Sequence, residues 1–254
     1  MPALTLGLNW RDYVLGLAAV VPLLILLCLP PLHQDQHYHQ FADRRSFLGI
    51  PNFADVVSNI PFLVVGIAGI VLGSRGRLTG YSISWLVFFV GVSMVSLGSG
   101  YYHWRPNNDT LVWDRLPMTV GFMGLFVAFL SEWVHHELSI LLVPALVLGV
   151  VSVVYWHYSD DLRLYAWIQY APLLIVPIVM ALFSSPYSRS GMLLVALGCY
   201  VLAKLFETYD REVFSVLHGS LAGHAIKHLW AAGGCAVILE MLRTRKALQL
   251  KHAA

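Results

Sequence analysis

Charge is scarce in this 254-residue sequence. Asp, Glu, Lys and Arg together make up 12% of it, about half the ~25% usual in soluble domains. A chain this poor in charge, and 58% hydrophobic, is not an ordinary water-soluble domain. The formal net charge of +2 supplies no basic field for a phosphate backbone, which excludes a nucleic-acid partner. Cysteine is sparse too. Cys28, Cys199 and Cys235 lie in apolar runs with no CxxC or paired spacing, so they read as small buried hydrophobes and say nothing of the redox compartment. There is no internal repeat, no low-complexity stretch and no long polar linker. The longest connection between apolar runs, 33–54, leaves no room for a separate soluble domain.

What the sequence has instead is long apolar runs. About 17 to 25 mainly apolar residues cross a bilayer as a helix. Eight runs qualify: 13–32, 55–73, 81–103, 110–130, 138–156, 163–183, 190–208 and 222–242. The expectation is an all-α, polytopic helix bundle in an integral multi-pass membrane protein. The first run lacks a small-residue cleavage site and is followed by PPLHQDQHYH, so it reads as an uncleaved helix. Basic residues in the loops set orientation. With the N-terminus inside, Arg11, Arg75, Arg77, Arg189, Arg243, Arg245, Lys246 and Lys251 fall inside. Arg44, Arg45, Arg105, Arg163 and Arg211 fall outside. Both termini are therefore expected in the cytoplasm.

The eighth run begins GHAIKHLW, 223–230. An ionisable side chain in lipid costs at least ~2.5 kcal/mol on insertion scales and usually marks function. His224 and His228 are four apart, one helical turn above each other on one face, a spacing by which two imidazoles share a metal. Ser99 and His103 have the same spacing at the end of the third run. Only about six residues separate the third and fourth runs, so those helices are antiparallel neighbours and Asp114 can approach His103. With the expected topology, His103, Asp114, His224 and His228 all fall at the outer ends of their helices. Three imidazoles with an open fourth position make a catalytic zinc site. Asp114 lies too deep for a solvated acid and, being adjacent to Arg115, pairs with it poorly.

Other polar residues have plainer readings. Lys204 and Glu207, three apart, should pair. Lys227 should snorkel to the outer interface. Ser58 and Asn59 suit either a ligand's surroundings or helix packing. His33, His37, His39, His157 and His218 belong to outer loops, and His135 and His136 to the opposite side.

The order SNIPF, GSGYYH, WDRLPM and GHAIKH resembles the alkaline ceramidases, seven-helix zinc amidohydrolases in a superfamily that includes the adiponectin and progestin receptors. The family pattern is Ser-x-x-x-His, an Asp eleven residues later in D-x-L-P-M, and a late His-x-x-x-His. Ser99, His103, Asp114, His224 and His228 occupy those positions. The resemblance covers roughly 50–245. It implies a catalytic core at 55–246, preceded by an additional helix and outer loop at 1–54 and followed by a cytoplasmic tail at 247–254. It also implies zinc on His103, His224 and His228, with Asp114 and Ser99 catalytic. The substrate it implies is a ceramide in the bilayer, cleaved at its amide to a sphingoid base and a fatty acid.

Two features depart from the family. Its calcium-binding stretch is acidic and contains Trp, whereas here YHQFADRRSFLGIPNF offers only Asp43, Asn52 and nearby Asp55 as ligands, opposed by Arg44 and Arg45. Calcium is therefore not expected to be needed. Arg115 stands where the family usually has Glu. Three other readings stay open on sequence alone: a receptor-like protein with a structural zinc site, a hydrolase of a lipid ester, and a haem-binding electron carrier using paired histidines.

Overall fold

A computed structural model describes residues 9–248. Lys251 and the tail residues from 249 onward, counted above for orientation, lie outside the described residues. The architecture is all-helical. Seven helical segments are long and apolar enough to cross a membrane, or eight if one bent pair is a single span. This is an integral multi-pass membrane protein by the length and composition of its helices.

Helix α1 (Trp10–Cys28) starts at Asn9, whose side chain accepts from the Arg11 amide while Asp12 accepts from the Asn9 amide. Only Leu15 of this helix is buried. It lies along α7 (Arg163–Leu182), where the Trp167 indole donates to the Ala19 carbonyl at 2.9 Å. Its end is tied down by Arg163, which donates to the Leu27 and Leu29 carbonyls and to Asp161.

The run expected at 55–73 is two helices, α2 (Phe53–Val57) and α3 (Ile60–Ser74). Pro61, in the first turn of α3, has no N–H to continue the ladder and is favoured at a helix start. The break leaves Ser58 and Asn59 between the helices, both donating to the Asp55 carbonyl. Helices α4 (Ile83–Trp104) and α5 (Asn108–Trp133) then run antiparallel through a tight turn. Asn107 caps α5 by accepting from the Thr110 amide at 2.9 Å. Their backbones touch: a Cβ at Gly98 would collide with the Trp113 carbonyl, and one at Gly91 with the backbone of Gly121. Small residues allow such approach between membrane helices.

Helix α6 (Leu142–Ser159) and α7 follow. The run expected at 190–208 is α8 (Met192–Thr208), which bends by 81° into α9 (Asp210–Val216). Its 17 residues reach about 25 Å at 1.5 Å each, short of the ~30 Å hydrocarbon core. The last helix, α10 (Gly223–Thr244), begins against this bend; a Cβ at Gly223 would strike the Phe206 carbonyl. At the opposite end of the bundle, Arg245 donates to both Glu132 oxygens and the Trp85 indole donates to Glu132.

Candidate metal centre

Four elements meet at one end of the bundle. Helix α4 supplies His103 in its last turn, α10 supplies His224 and His228 in its first two, the α2–α3 break supplies Ser58, and the 33–52 loop folds across them. His103 is fully buried, and His224 and His228 are each 3% exposed. Their ring centroids form a near-equilateral triangle with sides of 4.8, 4.9 and 5.0 Å. One nitrogen from each ring lies within 4.8 Å of the others. Zinc–nitrogen bonds of about 2.0–2.1 Å limit two ligands of one ion to roughly 4 Å apart, so small ring rotations would gather all three.

The hydrogen bonding of each ring bears on that fit. Ser58 donates its hydroxyl proton to the Asp55 carbonyl at 3.1 Å, and its oxygen lies 2.8 Å from His228 Nδ1. With that proton committed, Ser58 accepts from Nδ1–H, which fixes the tautomer and leaves His228 Nε2 as a lone pair. That Nε2 is buried without a partner, and so are both nitrogens of His103. Buried imidazole nitrogens are normally hydrogen-bonded. His224 Nε2 instead faces the Lys227 ammonium at 2.9 Å, a cation beside the lone pair a metal would use. The donor set therefore fits a metal ion. A haem would need imidazoles on opposite faces of a planar macrocycle; these three rings are packed together, with Phe41 4.7 Å from His103 and 4.6 Å from His224.

The backbone around the triangle is equally constrained. The His224 amide, at the start of α10, donates to Asp210 Oδ1 at 2.7 Å, and the Ala42 amide donates to its Oδ2 at 2.8 Å. The bend after α8 thus brings Asp210 to the N-terminus of α10, where a carboxylate satisfies an orphan donor. Asn52 donates to the His103 carbonyl at 2.8 Å. His39 joins Tyr102 and Asn108, each at 2.9 Å.

Ser99 and Asp114, 2% and 6% exposed, share a cavity wall with His228. The cavity, about 690 Å³, lies within the ~300–1,000 Å³ usual for small-molecule sites. Its walls away from the histidines are apolar, including Phe88, Phe126, Phe129, Val176, Leu193 and Ile238. Its polar lining includes Ser99, Asp114, Arg115, Lys204, Glu207 and Lys227, and also Gln169, whose side chain donates to the Tyr200 hydroxyl at 2.7 Å.

Sequence expectations fare unevenly here. Lys204 and Glu207 pair as expected. Lys227 does not snorkel: its side chain is 16% exposed and donates to Glu207 at 3.0 Å as well as facing His224, because a buried carboxylate holds it more strongly than the interface would. Arg115 makes no ion pair with Asp114; it donates to Gln34 at 2.6 Å. Of the three calcium candidates, Asp43 is committed to Arg45 through both oxygens. Burial alone would raise Asp43, but hydrogen bonds from the Arg45 side chain and backbone outweigh it and hold the carboxylate below its ordinary range. Asn52 points its amide group at the His103 carbonyl. Asp55 is wholly buried, with neither oxygen partnered. Among the described residues, the three histidines are the one group of His, Cys, Asp or Glu side chains placed to hold a metal ion.

Phe41, Asp210 and the tautomer-fixing role of Ser58 are absent from the sequence expectations. Only Ser58 carried a signal, as a hydroxyl beside a proline-broken helix; the other two depend on the loop and the bend. Comparison of the chain with family models, curated proteins and solved structures finds no match.

Proposed function

We propose that this protein is a zinc-dependent membrane amidohydrolase that cleaves the amide of a ceramide-like lipid to a long-chain amine and a fatty acid. The observation that carries the reading is the convergence of three buried imidazoles, two of them with orphaned nitrogens, of which His228 lines a largely apolar cavity together with Asp114 and Ser99. The sequence resemblance supports zinc and an amide.

His103, His224 and His228 would hold the ion, which when bound acidifies water and polarises a carbonyl. Asp114, the acid on the cavity wall, takes the proton from the attacking water and passes it to the departing amine. Ser99, one turn from His103 on α4, donates a hydrogen bond to the oxygen on which charge develops. Phe41 covers the His103 and His224 rings and excludes water from that side. The apolar wall seats acyl chains, and the polar end holds the head group and the scissile bond.

The test combines metal content and product release. Purified protein should contain about one zinc per chain and release fatty acid from an N-acyl sphingoid base. His224→Ala,His228→Ala should lose both. Full zinc occupancy in that double variant would refute the ligand assignment. A zinc-loaded wild type that hydrolyses no lipid amide would refute the activity.

A further inference from the structure

Arg115 presents a charge that the catalytic reading does not use. It is 7% exposed and lines the cavity. One terminal nitrogen, Nη2, donates to Gln34 Oε1 at 2.6 Å. The other, Nη1, is buried with no partner. The guanidinium carbon lies 4.0 Å from the Trp156 ring centroid and 4.7 Å from that of Tyr165. Among the described residues no carboxylate lies within ion-pair distance. Arg163 and Arg245 each have one, at 2.7 and 2.6 Å. The neighbouring lysines of the cavity are committed, since Lys204 and Lys227 both pair with Glu207.

A buried guanidinium without an anion is unusual, because removing a charge from water is costly unless it is paired. Stacking on aromatic faces offsets part of that penalty. The guanidinium is also fixed in place. Gln34 is held by its amide on Asp160 Oδ1 at 3.1 Å and by its side chain on the Asp35 carbonyl, so the Arg115–Gln34 pair is anchored to the loop. Arg115 follows Asp114 in the chain, and both residues line the cavity.

We propose that Arg115 is the anion-recognition residue of this cavity, and that the lipid it binds carries a carboxylate or a phosphate monoester beside its amide. This rests on the cavity being the substrate site proposed above. Arginine matches both groups through charge-assisted hydrogen bonds. A neutral head group would leave Nη1 unsatisfied.

Binding separates this from catalysis. Full-length Asp114→Asn protein, expected to bind without turnover, is titrated with three probes of one chain length. N-dodecanoylglycine carries a carboxylate, N-dodecanoyl-phosphoethanolamine a phosphate, and N-dodecanoylethanolamine neither. The expected result is at least about tenfold tighter binding of one or both anionic probes. Tighter binding of the glycine amide assigns a carboxylate, and the reverse assigns a phosphate. Adding Arg115→Gln should bring the anionic probes to within about twofold of the neutral one and leave the neutral affinity unchanged. Arg115→Lys should keep part of the preference. Equal affinity for all three probes would overturn the proposal, and that comparison needs no substitution at position 115. A preference that survives Arg115→Gln would overturn it as well. If wild-type protein releases fatty acid neither from the three probes nor from an N-acyl sphingoid base while the preference stands, the hydrolase reading fails and the role of Arg115 remains.

Discussion

Replacing Ser58 by alanine tests the metal centre without relying on any substrate. The hydroxyl accepts from His228 Nδ1 at 2.8 Å while donating to the Asp55 carbonyl. Its removal leaves a buried Nδ1–H unpaired and frees the ring to adopt the other tautomer, which would point a proton into the histidine triangle. Loss of such an outer hydrogen bond typically lowers metal affinity 10–100-fold, which is ~1.4–2.7 kcal/mol. A second route agrees: a buried donor left unsatisfied costs ~1–3 kcal/mol. The helix break itself should survive, since Asn59 also donates to the Asp55 carbonyl, at 2.7 Å. The assay is zinc titration of stripped, full-length protein against a chromophoric chelator, with circular dichroism as a check on folding. Ser58→Thr keeps the hydroxyl and should retain most of the affinity. A folded Ser58→Ala protein with zinc affinity within twofold of wild type would show that His228 is not a ligand through Nε2.

Further outcomes follow from the same geometry. Asp114→Asn should keep zinc but slow hydrolysis by ~10²–10⁴-fold, the usual contribution of a general acid–base group; loss of zinc as well would make Asp114 a ligand. Lys227→Met should raise zinc affinity in the chelator assay, because it removes an ammonium 2.9 Å from His224 Nε2; weaker binding would mean the lysine supports the site. A calcium-selective chelator should leave hydrolysis nearly unchanged, since Asp43 is already paired with Arg45; a several-fold loss restored by calcium would refute this. Hydrogen bonds from Arg163 hold Asp161 at about 2, below the ~3.9 of an unfolded Asp. Its stabilising contribution is therefore present above about pH 4 and lost as pH falls towards 2. The melting temperature should drop across that window, and Asp161→Asn should flatten the drop.

The spans and the three histidines were legible in the sequence because each depends on local pattern. Apolar runs announce helices that cross a bilayer, and i, i+4 spacing places His224 and His228 on one face whatever surrounds them. His103 could be added because the expected topology puts it at the same outer end as His224 and His228, and because the family resemblance carries it. The surroundings were not legible. The α2–α3 break turns on Pro61, yet which histidine Ser58 meets is decided by how α10 packs against α3. Asp210 reaches the His224 amide only because the chain bends by 81° after Thr208. Lys227 was misread for the same reason: its partner Glu207 lies on another helix, so no local spacing predicts the pair. The 33–52 loop is polar and reads as a surface segment, yet Phe41 is 5% exposed against the histidine rings.

The unpartnered atoms give the site its physical logic. Nine buried side-chain nitrogen or oxygen atoms among the described residues have no partner. Five of these belong to His103, His228 and Asp55, and a sixth is Arg115 Nη1. Each such atom costs ~1–3 kcal/mol, so a chance scatter through the bundle would be the cheaper arrangement to evolve away. The deficits also differ in sign. The imidazole lone pairs call for a cation, whereas the Arg115 guanidinium calls for an anion. A divalent ion held by the three histidines would oppose the Lys227 ammonium beside His224 Nε2 and favour its pairing with Glu207. Under the proposed function, a lipid head group on Arg115 would set its amide near Asp114 and its chains along the apolar wall. One amphiphile cannot satisfy the guanidinium from the far end of the cavity, where the lining is phenylalanine and aliphatic. That orientation would turn the head group towards His228 and expose the bond nearest it to Asp114.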